Sequence, residues 1–529
     1  MQEGRAGAER RGVTARVAFA LVALHLLLCA ALFDPKIHTG GDSVTYMLLA
    51  ESLLRAGDGY STQIAPGPPE VHTKYPPGYP ALLAPMVAAF GRNFVALKLL
   101  SVLLTAASTA LFVVYARSGR TRASWLLLAL AFAVCPGVID YSRWMLSEAA
   151  FLLVTLLALW QLERDRPDAR LGPAFWMALL ASVATFYVRS IGALLLAATS
   201  LAYLTRREWR KFMVHGVVGA GLTIPWIVRS RVHAGTTSSY LEEFLLANIY
   251  APEAGRLGVW GMTERFATNA WVYATRELPR ALAGSDSTWA TSLPVAVVAV
   301  AVALLALLGL VYALRHRPGA PAYYLTLSCA SIFLFQTSVA DVRYLVVLMP
   351  LVLLYAADGA AVAAKFAGAW RGWLEPRLPA LVAGALAVLA LGAHAARIPE
   401  NLDMIAAYRA GDRYAGYHPA VASFFEASEW VGENTPRDAS VTVRKPRLFH
   451  ALTGRRALIY PFSTDRGKVL ESVRRTDYVL VDALYQTTRV YLLPALRQDE
   501  GYFELIYATD ADPTNFVLRV RNAATAPAP

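Results

Sequence analysis

Charge is scarce in this chain. Of its 529 residues only 17% are Asp, Glu, Lys or Arg, while 56% are hydrophobic and the mean hydropathy is +0.41. Soluble globular domains carry about a quarter of their residues as charges, so the bulk of this chain is suited to lipid. Cysteine is scarcer still. Cys29, Cys135 and Cys329 each stand inside an apolar run, where a thiol behaves as a small hydrophobe. The polar region from Arg397 onward has none, so it folds without disulfides. HExxH, CxxC, GxSxG and P-loop spacings are all missing, which removes the usual support for zinc-hydrolase, serine-hydrolase and ATPase chemistry.

What is present is a succession of apolar runs. About 20 residues cross roughly 30 Å of hydrocarbon. Runs of this kind are predicted near 16–33, 94–116, 123–139, 144–162, 173–188, 190–204, 212–230, 291–314, 321–339, 342–358 and 378–396, about eleven spans of a polytopic α-helical membrane protein. The pair 173–188 and 190–204 is short enough for either member to be partly re-entrant.

Basic clusters follow alternate runs. Arg5, Arg10, Arg11 and Arg16 precede the first; Arg117, Arg120 and Arg122 follow the second; Arg164, Arg166 and Arg170 the fourth; Arg206, Arg207, Arg210 and Lys211 the sixth; Arg315 and Arg317 the eighth; and Lys365, Arg371 and Arg377 the tenth. The positive-inside rule then places the N-terminus in the cytoplasm and the C-terminus outside. The same rule accounts for most of the net charge of +12, so a nucleic-acid partner is not implied. Phe33-Asp34-Pro35-Lys36 lacks a small-residue cleavage site, and the first span reads as an anchor rather than a signal peptide.

Three polar regions remain on the outer face: loops 34–93 and 231–290, and the region 397–529. In the first loop, Val44, Met47, Leu48, Ala50 and Leu54 fall largely on one side at helical spacing. This predicts an amphipathic helix over 43–54 lying in the interface and started by an Asp42-Ser43 cap. A second interfacial helix is expected around 263–274. Beyond 397, helices and strands alternate: helices at 420–433, 448–452, 465–475 and 490–498, strands at 440–444, 457–460, 477–482, 502–509 and 515–520. This is the pattern of a small α/β domain with a mainly parallel sheet. The tail 523–529 reads as disordered.

Several side chains carry candidate chemistry. Asp42 has two readings, a general base that takes a proton from an acceptor hydroxyl and an N-cap of the helix it opens. Lys74, in Thr73-Lys74-Tyr75-Pro76-Pro77, sits on a backbone stiffened by proline; it suits an anionic phosphate or a lipid head group. Arg143, Arg189 and Arg343 stand at outer turns, where positive charge needs an anionic partner. Arg143 has Asp140 or Glu148 nearby and Arg343 has Asp341, whereas Arg189 has no acidic neighbour in sequence. Asp140 and Glu148, joined by Asp42, are candidate ligands for a divalent cation, and His38 and His72 for zinc.

Taken together, Asp42-x-x-x-Tyr46, Lys74-x-Pro-Pro-x-Tyr79, Arg143-x-x-x-Ser147-Glu148 and Arg343-Tyr344 resemble the GT-C superfamily of membrane glycosyltransferases, in the style of protein O-mannosyltransferases and the lipid A aminoarabinose transferases. The resemblance covers residues 15–396. It implies inverting transfer of a sugar from a polyprenyl-phosphate donor to a hydroxyl of an envelope acceptor, at the outer face of a bacterial inner membrane. It also implies Asp42 as catalytic base and Lys74, Arg189 and Arg343 as donor-phosphate contacts. Tyr46, Tyr79, Asp140, Arg143 and Glu148 become candidates for substrate or metal binding. Thr73 stands where the aminoarabinose enzymes have an acid that helps bind zinc. Glu433-Asn434-Thr435-Pro436 and Arg444-Lys445-Pro446-Arg447 look like the outer domain of bacterial members, with the basic group either contacting an anionic acceptor or head groups, or forming a solvated face. The rival class, a flippase for a lipid-linked sugar, needs ionisable groups along a path through the bilayer; here they gather at one face.

Overall fold

The computed structural model describes residues 2–55, 57, 59–67, 71–167, 170–233, 240–366 and 377–521. The tail 523–529 and Arg371 lie outside them.

Each of the eleven apolar runs is helical. Among the described residues, seven helices are long and apolar enough to cross a membrane: Gly12–Ala31, Phe94–Ala116, Arg122–Ser142, Trp209–Val232, Leu293–His316, Met349–Phe366 and Leu378–Arg409. Pro173–Val188, Ser190–Thr205 and Ala320–Leu334 are shorter apolar helices. Phe19, Leu293, Leu304 and Val388 turn outward on this bundle, each more than half exposed, as a lipid-facing surface requires. Inside it, Leu293–His316 and Met349–Phe366 meet backbone to backbone. A Cβ on Gly309 would lie 2.1 Å from the Tyr355 carbonyl oxygen, and one on Gly359 would lie 1.9 Å from that of Leu305. Small residues at such a crossing are how helices associate in lipid, where no hydrophobic drive operates between them.

At one end of the bundle Arg117 donates to Thr14 Oγ1 at 2.7 Å and Arg120 to Asp358 at 2.9 Å. The three polar regions meet at the other end. The helix Asp42–Leu54 is buried along most of its length and packs on Gly78–Phe90, so it is a core helix and not the interfacial one its spacing suggests. Helix Gly78–Phe90 went unread in the sequence, because Pro85 and a nearly unbroken apolar composition hide its period. The second loop supplies Tyr240–Leu245 and Val259–Val272. Trp260 and Trp271 on the latter are strongly exposed, as expected of an interfacial helix.

Helix Leu378–Arg409 runs unbroken past residue 397 into the outer region. There Pro419–Asn434, Pro446–Thr453 and Arg466–Val473 surround the strands β1 (Ser440–Thr442), β2 (Arg456–Leu458), β3 (Tyr478–Val481), β4 (Phe503–Ala508) and β5 (Phe516–Val520). The sheet order is β2-β1-β3-β5-β4. β1 is parallel to β2 and β3, whereas β5 is antiparallel to both β3 and β4. The sheet is therefore mixed rather than mainly parallel, since the short β4–β5 connection permits only a hairpin.

This outer region sits directly on the loops. Ala457 N–H donates to the Ile64 carbonyl at 2.7 Å, Tyr491 OH to that of Tyr250 at 2.8 Å, and Lys445 Nζ to that of Gly40 at 3.3 Å. Ser463 and Thr464 grip the Glu253 carboxylate.

Candidate active site

Helix Asp42–Leu54 starts after Gly41, whose φ of 87° lies in the left-handed region that favours glycine. Asp42 is thus the first residue inside the helix, and no side chain caps it. The Asp42-Ser43 cap expected from the sequence does not form. Instead, Asp42 Oδ2 accepts from Arg343 Nη1 at 2.9 Å and Oδ1 from the Tyr75 hydroxyl at 2.9 Å. Burial alone would raise this carboxyl, but Arg343, with help from Tyr75 and Arg447, holds it below the ordinary carboxylate range. The helix N-terminus favours the same charge.

The cations expected to hold the donor phosphate, Lys74, Arg189 and Arg343, converge on this point. Lys74 Nζ donates to both oxygens of Glu243, at 2.8 and 3.0 Å. Arg189, where helix Pro173–Val188 ends, pairs with Glu148 and donates to Ser147 Oγ at 3.1 Å; the Tyr46 hydroxyl lies 3.0 Å from the same Oγ. Arg343 also reaches Tyr344 OH at 2.9 Å. Asp341 accepts from the Arg343 backbone N–H and from Tyr141, so it is not the partner of the guanidinium.

One cavity of about 480 Å³ is lined by all of these charges: the cations Lys74, Arg189 and Arg343 and the carboxylates Asp42, Glu148 and Glu243. Tyr46, Tyr75 and Tyr250 line it too, and Phe244, Ile332 and Phe335 supply apolar wall. The cavity therefore joins a balanced set of charges to a surface fit for a hydrocarbon chain.

Three expected site residues stand elsewhere. Tyr79 is fully buried with its ring 4.9 Å from that of Tyr46, and supports it from behind. Asp140, also buried, accepts from Arg397 at 2.6 Å and from the Ser285 backbone N–H and hydroxyl at 2.9 and 3.1 Å. Arg143 donates to Asp286 at 2.6 Å and lies 3.5 Å from Asp140. These groups tie Pro136–Ser142 to the second loop and to Leu378–Arg409, so Asp42, Asp140 and Glu148 do not converge as cation ligands. Among the described residues, no three His, Cys, Asp or Glu side chains are grouped to hold a metal ion. His72 Nε2 accepts the Tyr75 N–H at 3.0 Å, and burial, together with Arg447, Lys74 and Arg229, pushes its pKa down to about 3. A neutral imidazole thus positions Tyr75. His38 packs edge-on against Trp144.

Glu243 and Tyr75 are the site residues that sequence reasoning left without roles. Nothing in Glu242-Glu243 distinguishes the inward acid from its exposed neighbour, and Lys74 lies 169 positions away. Arg444 is buried, its guanidinium 5.9, 4.7 and 5.2 Å from the rings of Tyr250, Phe462 and Tyr485, so it is an interface residue and not part of a solvated basic face. Burial, with Arg444 beside it, lowers Lys445 to about 8.

No family model matches the sequence, and no curated protein does. Solved structures do resemble it. ArnT from Cupriavidus metallidurans in the apo state superposes with a TM-score of 0.57 at 12% identity, covering 99% of this chain and 100% of that one. The same protein bound to undecaprenyl phosphate gives 0.59 at 14%, covering 97% and 99%. The archaeal oligosaccharyltransferase AglB from Archaeoglobus fulgidus, in complex with an inhibitory peptide and a dolichol-phosphate, gives 0.54 at 13%, covering 96% of this chain and 75% of that one. This multi-pass membrane chain therefore has the fold of the GT-C membrane glycosyltransferases.

Proposed function

We propose that the protein transfers a sugar from a polyprenyl-phosphate donor to a hydroxyl of an envelope acceptor, with inversion, at the outer face of a bacterial inner membrane. The observation that carries this reading is the convergence of Asp42 with Lys74, Arg189 and Arg343 on a single part-apolar cavity. Residues 1–396 form the transferring unit and 397–529 its periplasmic cover; the N-terminus is cytoplasmic. The undecaprenyl phosphate in the ArnT structure and the dolichol-phosphate in the AglB structure support a lipid phosphate as the donor's carrier.

In this reading the acceptor oxygen attacks the anomeric carbon from the side opposite the phosphate, and its proton passes to the Asp42 carboxylate. The carbon–oxygen bond to phosphate breaks, releasing polyprenyl phosphate. Negative charge grows on that leaving group, and fixed cations in a water-poor cavity lower the barrier. Arg343 links the two events. A phosphate that draws its guanidinium away from Asp42 raises the proton affinity of the base as the donor arrives.

Asp42→Asn tests the proposal in purified membranes supplied with a labelled polyprenyl-phosphate sugar. Turnover should fall by about 10²–10⁴-fold with undecaprenyl-phosphate binding intact; full turnover would remove the base. Mass spectrometry of envelope glycans from a deletion strain identifies the sugar and acceptor.

A further inference from the structure

The three carboxylates of the cavity are held differently. Glu148 is 1% exposed at the start of its helix, and Asp42 is fixed by Arg343 and Tyr75. Glu243 stands on the six-residue helix Tyr240–Leu245 of the second outer loop, with its side chain partly exposed. Both of its oxygens meet the ammonium of Lys74. Two anionic oxygens sharing one charge are also what a phosphodiester offers.

The Glu243 backbone is secured independently of that side chain. Gln336 Nε2 donates to the carbonyls of Glu243 at 2.5 Å and Leu246 at 2.6 Å. Arg265 donates to those of Phe244, Leu246 and Ala247 at 2.9, 2.6 and 3.1 Å. Gln336 and Arg265 are themselves buried, so the loop backbone is held without the Glu243 carboxylate.

We infer that Glu243 is an internal substitute for the donor phosphate: it occupies Lys74 while the cavity is empty and is displaced when a polyprenyl phosphate binds. The inference rests on the donor-phosphate reading of Lys74. Its consequence is selectivity by charge exchange. An uncharged lipid gives Lys74 no replacement for the anion it would lose, whereas a lipid phosphate does, and Glu243 swings to the wetter side of the loop. The closed ion pair thereby raises the apparent Kd of a lipid phosphate in inverse proportion to the fraction of molecules in which the pair is open.

The test is binding of undecaprenyl phosphate to the full-length protein in nanodiscs. Glu243→Gln should bind about fivefold more tightly than the natural chain, the size expected for release from a partly exposed pair. Glu243→Asp, with a shorter reach, should fall between the two and serves if the glutamine variant does not fold. Lys74→Ala should weaken binding, and adding Glu243→Gln to it should restore nothing, because the two changes act on one contact. Glu242→Gln should leave affinity unchanged. Affinity of the Glu243 variants equal to or below that of the natural chain, with Lys74 still required, overturns the inference alone. Binding that ignores Lys74 overturns the donor reading and the inference with it.

Discussion

Arg343 Nη1 and Asp42 Oδ2 lie 2.9 Å apart although 301 positions separate them in the chain. The pair joins the start of the first outer loop's helix to the short helix Arg343–Val346, and it sets the charge state of the proposed base. Because Arg343 keeps the Asp42 carboxyl below its ordinary value against a burial effect of opposite sign, a general base here stays ionised to a lower pH than an ordinary aspartate.

Arg343→Gln removes the larger opposing influence and leaves burial. The Asp42 pKa should then rise, and the acid limb of kcat/KM, which reports the donor-free enzyme, should move to higher pH. A pH–rate profile measures this, and an unmoved limb would separate Asp42 from the proton transfer. The depressed pKa also stabilises the fold above the unfolded aspartate pKa, an effect lost as pH falls through the folded one.

Lys74→Ala should weaken binding of undecaprenyl phosphate by roughly 10- to 100-fold, the range for a hydrogen bond to a charged group, while kcat at saturating donor changes less. Equal losses in kcat and kcat/KM would instead mean that Lys74 acts only in the transition state.

Tyr75→Phe keeps the ring, 5.2 Å from that of Tyr46, and deletes only the hydroxyl on Asp42. We expect kcat to drop by about tenfold, the loss of one hydrogen bond to a charge, with a smaller upward shift of the acid limb than Arg343→Gln produces. His72→Ala, which frees the Tyr75 backbone N–H, should act in the same direction.

Much of this architecture is legible in the chain. The apolar runs locate the bundle helices because lipid demands length and composition, and both are local properties. The outer α/β elements are equally readable: Asp465, for example, caps its helix by accepting from Gly467 and Lys468 N–H. Lys74, Arg189 and Arg343 are conspicuous as cations away from the basic clusters. What stays hidden is pairing. Glu148 answers Arg189 and Glu243 answers Lys74 only through the fold, and Asp140 and Arg143, which look like site residues from their place beside Glu148 in the sequence, turn toward Arg397 and Asp286. The cap reading of Asp42 fails because Gly41 supplies the turn.

Gly309→Val places branched carbon against the Tyr355 carbonyl where two bundle helices meet backbone to backbone. Overpacking of this kind costs about 1–3 kcal/mol or more, so thermal unfolding in detergent should shift to clearly lower temperature. Gly319→Val, where a Cβ would come no closer than 3.4 Å to any neighbour, is the control that should leave it near the natural value.

Helix Leu378–Arg409 is a lever. Its 32 residues span about 48 Å, and they carry the outer domain whose Lys445 rests on Gly40, two residues before Asp42. The bundle and the outer domain are therefore joined by one continuous helix as well as by the contacts of that domain with the loops. Pro399, inside the same helix, lacks the N–H that would complete one rung of the ladder; it is the place where the two ends of the lever can part company. Through this one element the outer domain and a helix of the bundle share a single axis, interrupted in its hydrogen-bond ladder only at Pro399.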